Sequence, residues 1–186
     1  TTNGPGVSSP IQVGSGTDWS RIFVGHIHRM AMKTDGTLWG WGANNNGRIG
    51  DNSTVYRSSP TQIPGTWSSF SSSSYQGFGI KTDGTLWAWG ENTKGQLADN
   101  TTTERSSPIQ IPGTNWKQVY AGLLNSSYNH TSAVKTDGTL WSWGYNKYGA
   151  LGQNNVTYYS SPVQIPGTDW DKVVCGAENN FGFKSV

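Results

Sequence analysis

The heptapeptide Lys-Thr-Asp-Gly-Thr-Leu-Trp occurs three times, beginning at Lys33, Lys81 and Lys135. Ser-Ser-Pro recurs at Ser8, Ser58, Ser106 and Ser160, at spacings of 50, 48 and 54 residues, and a Trp follows each time at Trp19, Trp67, Trp116 and Trp170. A period of this size marks a unit that cannot bury its apolar face alone and must stack on its neighbours. The chain is therefore read as one repeat array over residues 1–186.

One repeat reads as four short strands. In the third unit, residues 116–122 are β-prone and end in Gly, giving strand A, with counterparts near 19–25, 67–73 and 170–176. Residues 131–135 follow as strand B and 139–143 as strand C. Asp137-Gly138 between them is a strong hairpin signal, and a type I′ turn with positive φ at both central residues is expected. A polar stretch then runs from Gly144 to Ser161, and residues 162–165 form strand D, whose Pro162 suits an edge strand. The Trp-x-Trp of strand C puts both indoles on one face by the two-residue strand period. Trp41, Trp89 and Trp143 are thus expected at equivalent packed positions between blades, and not on a carbohydrate platform.

Composition narrows the class. With 25 Gly, 10 Trp and no apolar run long enough to span a bilayer, the chain reads as a turn-rich, all-β protein without membrane insertion. Its net charge is +2 and its Lys and Arg are scattered, so no basic stripe points to nucleic acid. Cys175, the single cysteine, excludes an intrachain disulfide and falls where the other units carry Val24, Ser72 and Ala121, a small packed position.

The run from Lys81 through Trp87-Ala88-Trp89-Gly90, then Asn92, Gly95-Gln96-Leu97 and Ser107-Pro108-Ile109-Gln110-Ile111, resembles the repeat of the RCC1 (regulator of chromosome condensation) family, in its bacterial or phage-type form. Ala98 departs from the second Gly of that pattern, which Gly50 and Gly152 retain. Ser71, Ser72 and Ser73 replace the usual apolar and Gly residues, so the second strand A is expected to be looser. The resemblance implies β-propeller blades of four antiparallel strands, in a closed ring of about seven. This chain holds about three and a half, an incomplete ring that opens on a lone D strand at Ser9 to Val13. Exposed strand edges are an aggregation hazard, so a segment of a longer propeller is expected, with self-association as the other means of covering the ends.

In such blades the B–C and D–A turns share one rim and the A–B and C–D connections share the other. The first rim is nearly constant, with Asp35, Asp83 and Asp137 in the same turn. The second varies. Tyr56-Arg57, Glu104-Arg105 and Tyr158-Tyr159 occupy equivalent positions, and five extra residues lengthen the A–B loop that carries Leu123, Leu124, Tyr128 and His130. With Tyr145 and Tyr148 these make the candidate binding residues, since exposed Tyr and Arg on a rigid scaffold compose a protein-binding surface. The alternative for the long loop is a solvated segment that diverged after duplication.

No catalytic constellation is expected. Three of the eight Asp sit in hairpin turns, Asp169 and Asp171 recur only in part, and His26 and His28 have no third ligand, so no metal site and no cofactor are assigned. Asn52, Asn100, Asn125 and Asn155 begin sequons, which matter only in a eukaryotic secreted protein. The expected function is a non-enzymatic binding or structural scaffold. Its partner is a protein, or the remainder of the propeller in the same or a neighbouring chain, and its setting a bacterial secreted protein or a phage virion or tail, extracellular or on the virion surface. The resemblance also implies a guanine-nucleotide exchange factor acting on a small GTPase, and lectin-like glycan binding is a further alternative.

Overall fold

The computed structural model describes residues 12–25, 27–122, 129–176 and 180–184. Among them there is no helix. The first sheet comprises β1 (Trp19–Val24), β2 (His28–Lys33), β3 (Leu38–Gly42) and β4 (Arg57–Ile63). The second comprises β5 (Trp67–Ser72), β6 (Gln76–Lys81), β7 (Leu86–Gly90) and β8 (Arg105–Gln110), and the third β9 (Trp116–Ala121), β10 (His130–Lys135), β11 (Leu140–Gly144) and β12 (Tyr159–Ile165). A pair, β13 (Trp170–Cys175) and β14 (Asn180–Lys184), ends the series. Each four-stranded sheet follows chain order, and its pairings are antiparallel. The described residues therefore make three propeller blades and half of a fourth. Most of the opening D strand lies outside the described residues.

The repeated heptapeptide is a small machine of hydrogen bonds. In the first copy Gly36 N–H donates to Lys33 O at 3.1 Å and Lys33 N–H to Thr37 O at 2.9 Å. Gly36 has φ +80°, but neither Thr34 nor Asp35 is in the left-handed region. The turn is thus a type I turn closed by a left-handed Gly, the three-residue hairpin, and not the type I′ expected from Asp-Gly. The register explains the difference: Asp35 must stay right-handed so that its Oδ1 can accept from Thr37 N at 2.9 Å and Thr37 Oγ1 at 2.7 Å. Thr37 Oγ1 in turn accepts from Trp39 Nε1 at 2.9 Å. The same relay recurs at Asp83-Thr85-Trp87 and Asp137-Thr139-Trp141. The heptapeptide's Lys lies over the indoles it orients, Lys81 at 3.6 Å from Trp87 and 5.5 Å from Trp67, and Lys135 at 4.7 and 4.8 Å from Trp116 and Trp141.

The core sits between blades. Met30, Met32, Leu38 and Ile63 of the first blade pack on Trp67 and Trp89 of the second. Phe78, Ile80, Leu86, Leu97 and Ile111 of the second pack on Trp116, Val119 and Trp143 of the third. At both joints one blade supplies mainly aliphatic side chains and the next supplies the indoles, so the two have the same polarity. Trp89 and Trp143 are fully buried, and each donates Nε1–H to a loop carbonyl of the preceding blade, Arg48 O at 3.1 Å and Gln96 O at 2.9 Å. Trp89 can lie flat because Gly77 faces it: a Cβ there would stand 2.3 Å from the indole.

Two further expectations are corrected. Trp41 is only half-buried. No blade precedes it among the described residues, and it lines an open hollow of about 270 Å³ with Trp19, Ile22 and Ala31. The Ser-rich strand β5 is not loose: it pairs with β6 in the same bulged register that β1 keeps with β2. Its serines are anchored across joints, Ser72 Oγ at 3.1 Å from His28 Nε2 and Ser71 Oγ accepting from Ala121 N at 3.1 Å. Cys175 is buried as expected, with its thiol 3.0 Å from Tyr120 O.

Replacing Trp89 or Trp143 by Ala is expected to cost about 3–5 kcal/mol, and Trp41→Ala clearly less, because only the first two leave a sealed cavity and an unanswered carbonyl. Chemical denaturation of the three variants checks this, and equal losses at all three positions would contradict the joint as described.

Candidate recognition rim

The two rims use their polar groups differently. On the turn rim the backbone hooks blade to blade: Trp67 N–H donates to Gly36 O at 2.8 Å, Trp116 N–H to Gly84 O at 3.0 Å and Trp170 N–H to Gly138 O at 3.0 Å. These groups are consumed internally, and the turns differ little from blade to blade.

On the opposite rim a buried Asn pins each C–D loop. Asn44 Nδ2 donates to Ser53 O at 3.0 Å and Val55 O at 3.2 Å, while its Oδ1 accepts from Ile49 N at 2.9 Å. Asn92 does the same with Thr101 O, Thr103 O and Leu97 N, and Asn146 with Asn155 O, Thr157 O and Leu151 N. All three side chains are inaccessible to solvent, and a fully bonded buried amide fixes a long loop that would otherwise carry large conformational entropy. The first two loops also grip the next blade, Asn52 N–H to Ser106 O at 2.9 Å and Asn100 N–H to Ser160 O at 2.7 Å.

The candidate residues divide on this frame. Arg57 pairs with Asp51, and Arg105 with Asp99 at 2.7 Å, so both are committed to loop structure. Burial raises the Asp51 and Asp99 carboxyls, but bonds from Arg57 and Ser53, and from Thr101 and Arg105, outweigh it and hold both below the usual carboxylate range. In the third loop Gln153 and Tyr159 replace the ion pair, and the Tyr159 hydroxyl accepts from Asn155 Nδ2 at 3.0 Å. Glu104 accepts across the first joint from Asn46 Nδ2 at 2.8 Å. His130 is buried, with Nε2 3.0 Å from Asn180 Oδ1, so it faces a joint and not the rim surface. Leu123, Leu124 and Tyr128 lie outside the described residues, as does His26.

The aromatic residues remain on display. Tyr56 is 62% exposed, Tyr148 60% and Tyr158 42%. Tyr145 packs 4.8 Å from Tyr158 and 6.5 Å from Tyr148, which joins the three rings of the third loop into one cluster. Beside it a notch of about 310 Å³ is lined by Thr93, Lys94, Gly95, Thr102, Tyr158 and Ser160, across the joint between the second and third blades. Among the described residues no three His, Cys, Asp or Glu side chains converge to hold a metal, and no helix is long and apolar enough to cross a membrane.

Sequence reasoning passed over the polar side of the joints. Arg48 is buried, its Nη1 donating to Ser74 O at 3.1 Å and its guanidinium 4.5 Å from the Tyr75 ring. Burial lowers its pKa. Asn129 Nδ2 reaches Gln76 Oε1 at 3.1 Å across the next joint. These contacts span 26 to 53 residues and differ from joint to joint, so the repeat pattern could not signal them.

Residues 35–75, 83–134 and 137–182 match the regulator of chromosome condensation (RCC1) repeat, and a second description of that repeat matches 67–96 and 123–150. The chain belongs to the RCC1 repeat family. Each matched unit begins at the hairpin Asp and ends in the next blade, so one RCC1 sequence repeat contains one joint. The chain is 26% identical over 184 residues to the ultraviolet-B receptor UVR8 of Arabidopsis thaliana, covering 91% of this chain and 40% of that protein. It is 39% identical over 154 residues to the RCC2 homolog of Danio rerio, covering 81% of this chain and 21% of that one. It thus spans well under half of either relative. Prp20p of Saccharomyces cerevisiae, a structure described with its binding to Gsp1p and histones, shares the fold with a TM-score of 0.74 at 20% identity, covering 91% of this chain and 44% of its own.

The RCC1 joint also sets an acid response. Ser72 Oγ donates to Gln76 O at 2.8 Å, so His28 Nε2–H donates to Ser72 and Nδ1 stays bare and without a partner. Burial, with Arg48 and Arg29 nearby, lowers the His28 pKa from 6.5 to about 3. The unfolded chain then binds the extra proton first, so stability falls as pH drops from 6.5 toward 3. Thermal melts are expected to show a steeper decline between pH 6.5 and 4 in the parent than in His28→Gln; parallel declines would remove His28 from this account.

Proposed function

We propose that this RCC1 array is a non-enzymatic protein-binding module, and that it recognises its partner with the A–B/C–D rim of the third blade. The observation that carries the reading is the contrast between rims: one spends its polar groups on blade-to-blade hooks, while the other holds Tyr145, Tyr148 and Tyr158 as a cluster on an Asn-pinned frame. Tyr contributes large, rigid contact area with a polar tip, which suits an interface hot spot. Relatives of this fold support the class. The Prp20p structure is described by its binding to Gsp1p and histones, and a related structure shows yeast RCC1 bound to Kap60. A nucleotide-exchange role rests on that likeness of fold alone. Durable repeats with few charges also suit display on a secreted or virion surface, the setting we propose for the module.

Peptides selected from a display library against the folded chain test the rim. Tyr148→Ala and Tyr158→Ala are expected to weaken selected binders by roughly thirtyfold, ~2 kcal/mol, with the melting temperature nearly unchanged. Substitutions at Thr34, Thr82 and Thr136 on the turn rim are expected to do nothing. The reverse pattern would place the functional face on the turn rim.

A further inference from the structure

The first two joints are built alike, which lets one serve as a template for the other. At the first, Asn46 sits in the loop of one blade and Glu104 at the corresponding point of the next, and the Glu104 carboxylate accepts from Asn46 Nδ2 at 2.8 Å. Counting from the pinning residues Asn44, Asn92 and Asn146, the counterpart of Asn46 is Lys94 and that of Glu104 is Tyr158. The substitution changes the electrostatics of the second joint. A donor and a carboxylate have become a cation and a phenol ring, and the notch between them stays open, with Thr93, Gly95, Thr102 and Ser160 as its remaining walls.

The cation there is uncompensated. Neither Lys94 nor Lys147 has an ion pair among the described residues, and Lys147, on the third blade's loop, lies 5.5 Å from the Tyr148 ring, beside the aromatic cluster. The carboxylates of the same loop belong elsewhere: Glu91 is buried and accepts from Thr93 Oγ1 at 3.0 Å, and Asp99 is taken by Arg105. A half-buried ammonium beside a hydroxyl-lined notch and an exposed ring favours an anion that brings its own apolar stem.

We propose that the notch between the second and third blades binds a carboxylate side chain from an acidic, extended segment of a partner protein, in the place that Glu104 fills at the first joint. Lys94 supplies the charge, the Thr102 and Ser160 hydroxyls supply donors, and Tyr158 walls the methylene stem. Tyr158 links the notch, through Tyr145, to the exposed Tyr148 ring. This deepens the rim reading and depends on it.

The template also supplies the decisive variant. Tyr158→Glu puts a carboxylate at the position of Glu104, within the same joint as Lys94, and so fills the site from inside. Fluorescence anisotropy of a fluorescein-labelled hexaglutamate peptide on the full chain is expected to show saturable binding that weakens as salt rises, with no comparable binding of hexaglutamine. Lys94→Gln and Tyr158→Glu are each expected to weaken it by roughly tenfold, ~1.4 kcal/mol, at unchanged melting temperature. Tyr158→Phe is expected to bind as the parent does, because the wall needs the ring and not the hydroxyl. The proposal is overturned if hexaglutamate fails to bind in the low millimolar range, or if its binding survives both variants. Equal binding of hexaglutamine, or of an oligonucleotide of matched charge, overturns it too. If library-selected peptides depend on Tyr148 but ignore Lys94→Gln and Tyr158→Glu, the rim reading stands and the carboxylate site falls.

Discussion

The indole of one blade bonded to a loop carbonyl of the blade before it is the interaction on which the rest of this molecule depends. Burying an indole contributes a large apolar surface; the outer indoles of strand C bond to a Thr of their own hairpin, but the two fully buried ones find their acceptor only in the preceding blade. Trp89 and Trp143 reach back to Arg48 O and Gln96 O. At the last joint Asn180 Nδ2 takes the equivalent carbonyl, Ala150 O, at 2.7 Å. A blade can therefore satisfy its central aromatic residue only when a neighbour is docked. Stability becomes a sum over joints, as expected of a quasi-one-dimensional array.

That dependence sorts the polar residues. Groups near the turn rim close backbone hooks and the Asp-Thr-Trp relays, and they repeat because each joint needs the same hooks. Groups on the other rim fall into an inner layer of pinned Asn and paired Asp and Arg, and an outer layer of Tyr and Lys. The outer layer is where the blades differ, and where charge is left without a counter-charge.

Much of this was legible in the residues. The spacing of the heptapeptides fixed strand order and blade number, and the Trp-x-Trp pattern placed the joints. Two of the readings that failed did so for reasons the local sequence hides. Asp-Gly alone did not reveal that Asp35 accepts two bonds from Thr37, which decides the turn type. The serines of β5 read as loss of core, because their partners lie 44 and 50 residues away. Nor does anything local show that Asp51 and Asp99, six residues earlier, fold back onto Arg57 and Arg105. The pinning Asn was findable: Asn44, Asn92 and Asn146 each stand two residues after the Gly that closes strand C. So was the altered second notch, since Lys94 and Tyr158 are visible as departures once the loops are aligned on that Asn.

The pinning amide holds its loop by main-chain carbonyls nine and eleven residues downstream, Ser53 and Val55 in the first blade. Apart from the side chains of Asp51 and Ser53, or Asp99 and Thr101, which it also meets, it is indifferent to the side chains around those anchors. Positions such as Thr54, Tyr56, Thr102 and Glu104 can be exchanged without redrawing the path of the backbone that bears them. A lineage can thus try new rim chemistry by single substitutions while its folding problem stays solved, and a combinatorial library built at these positions inherits the same tolerance.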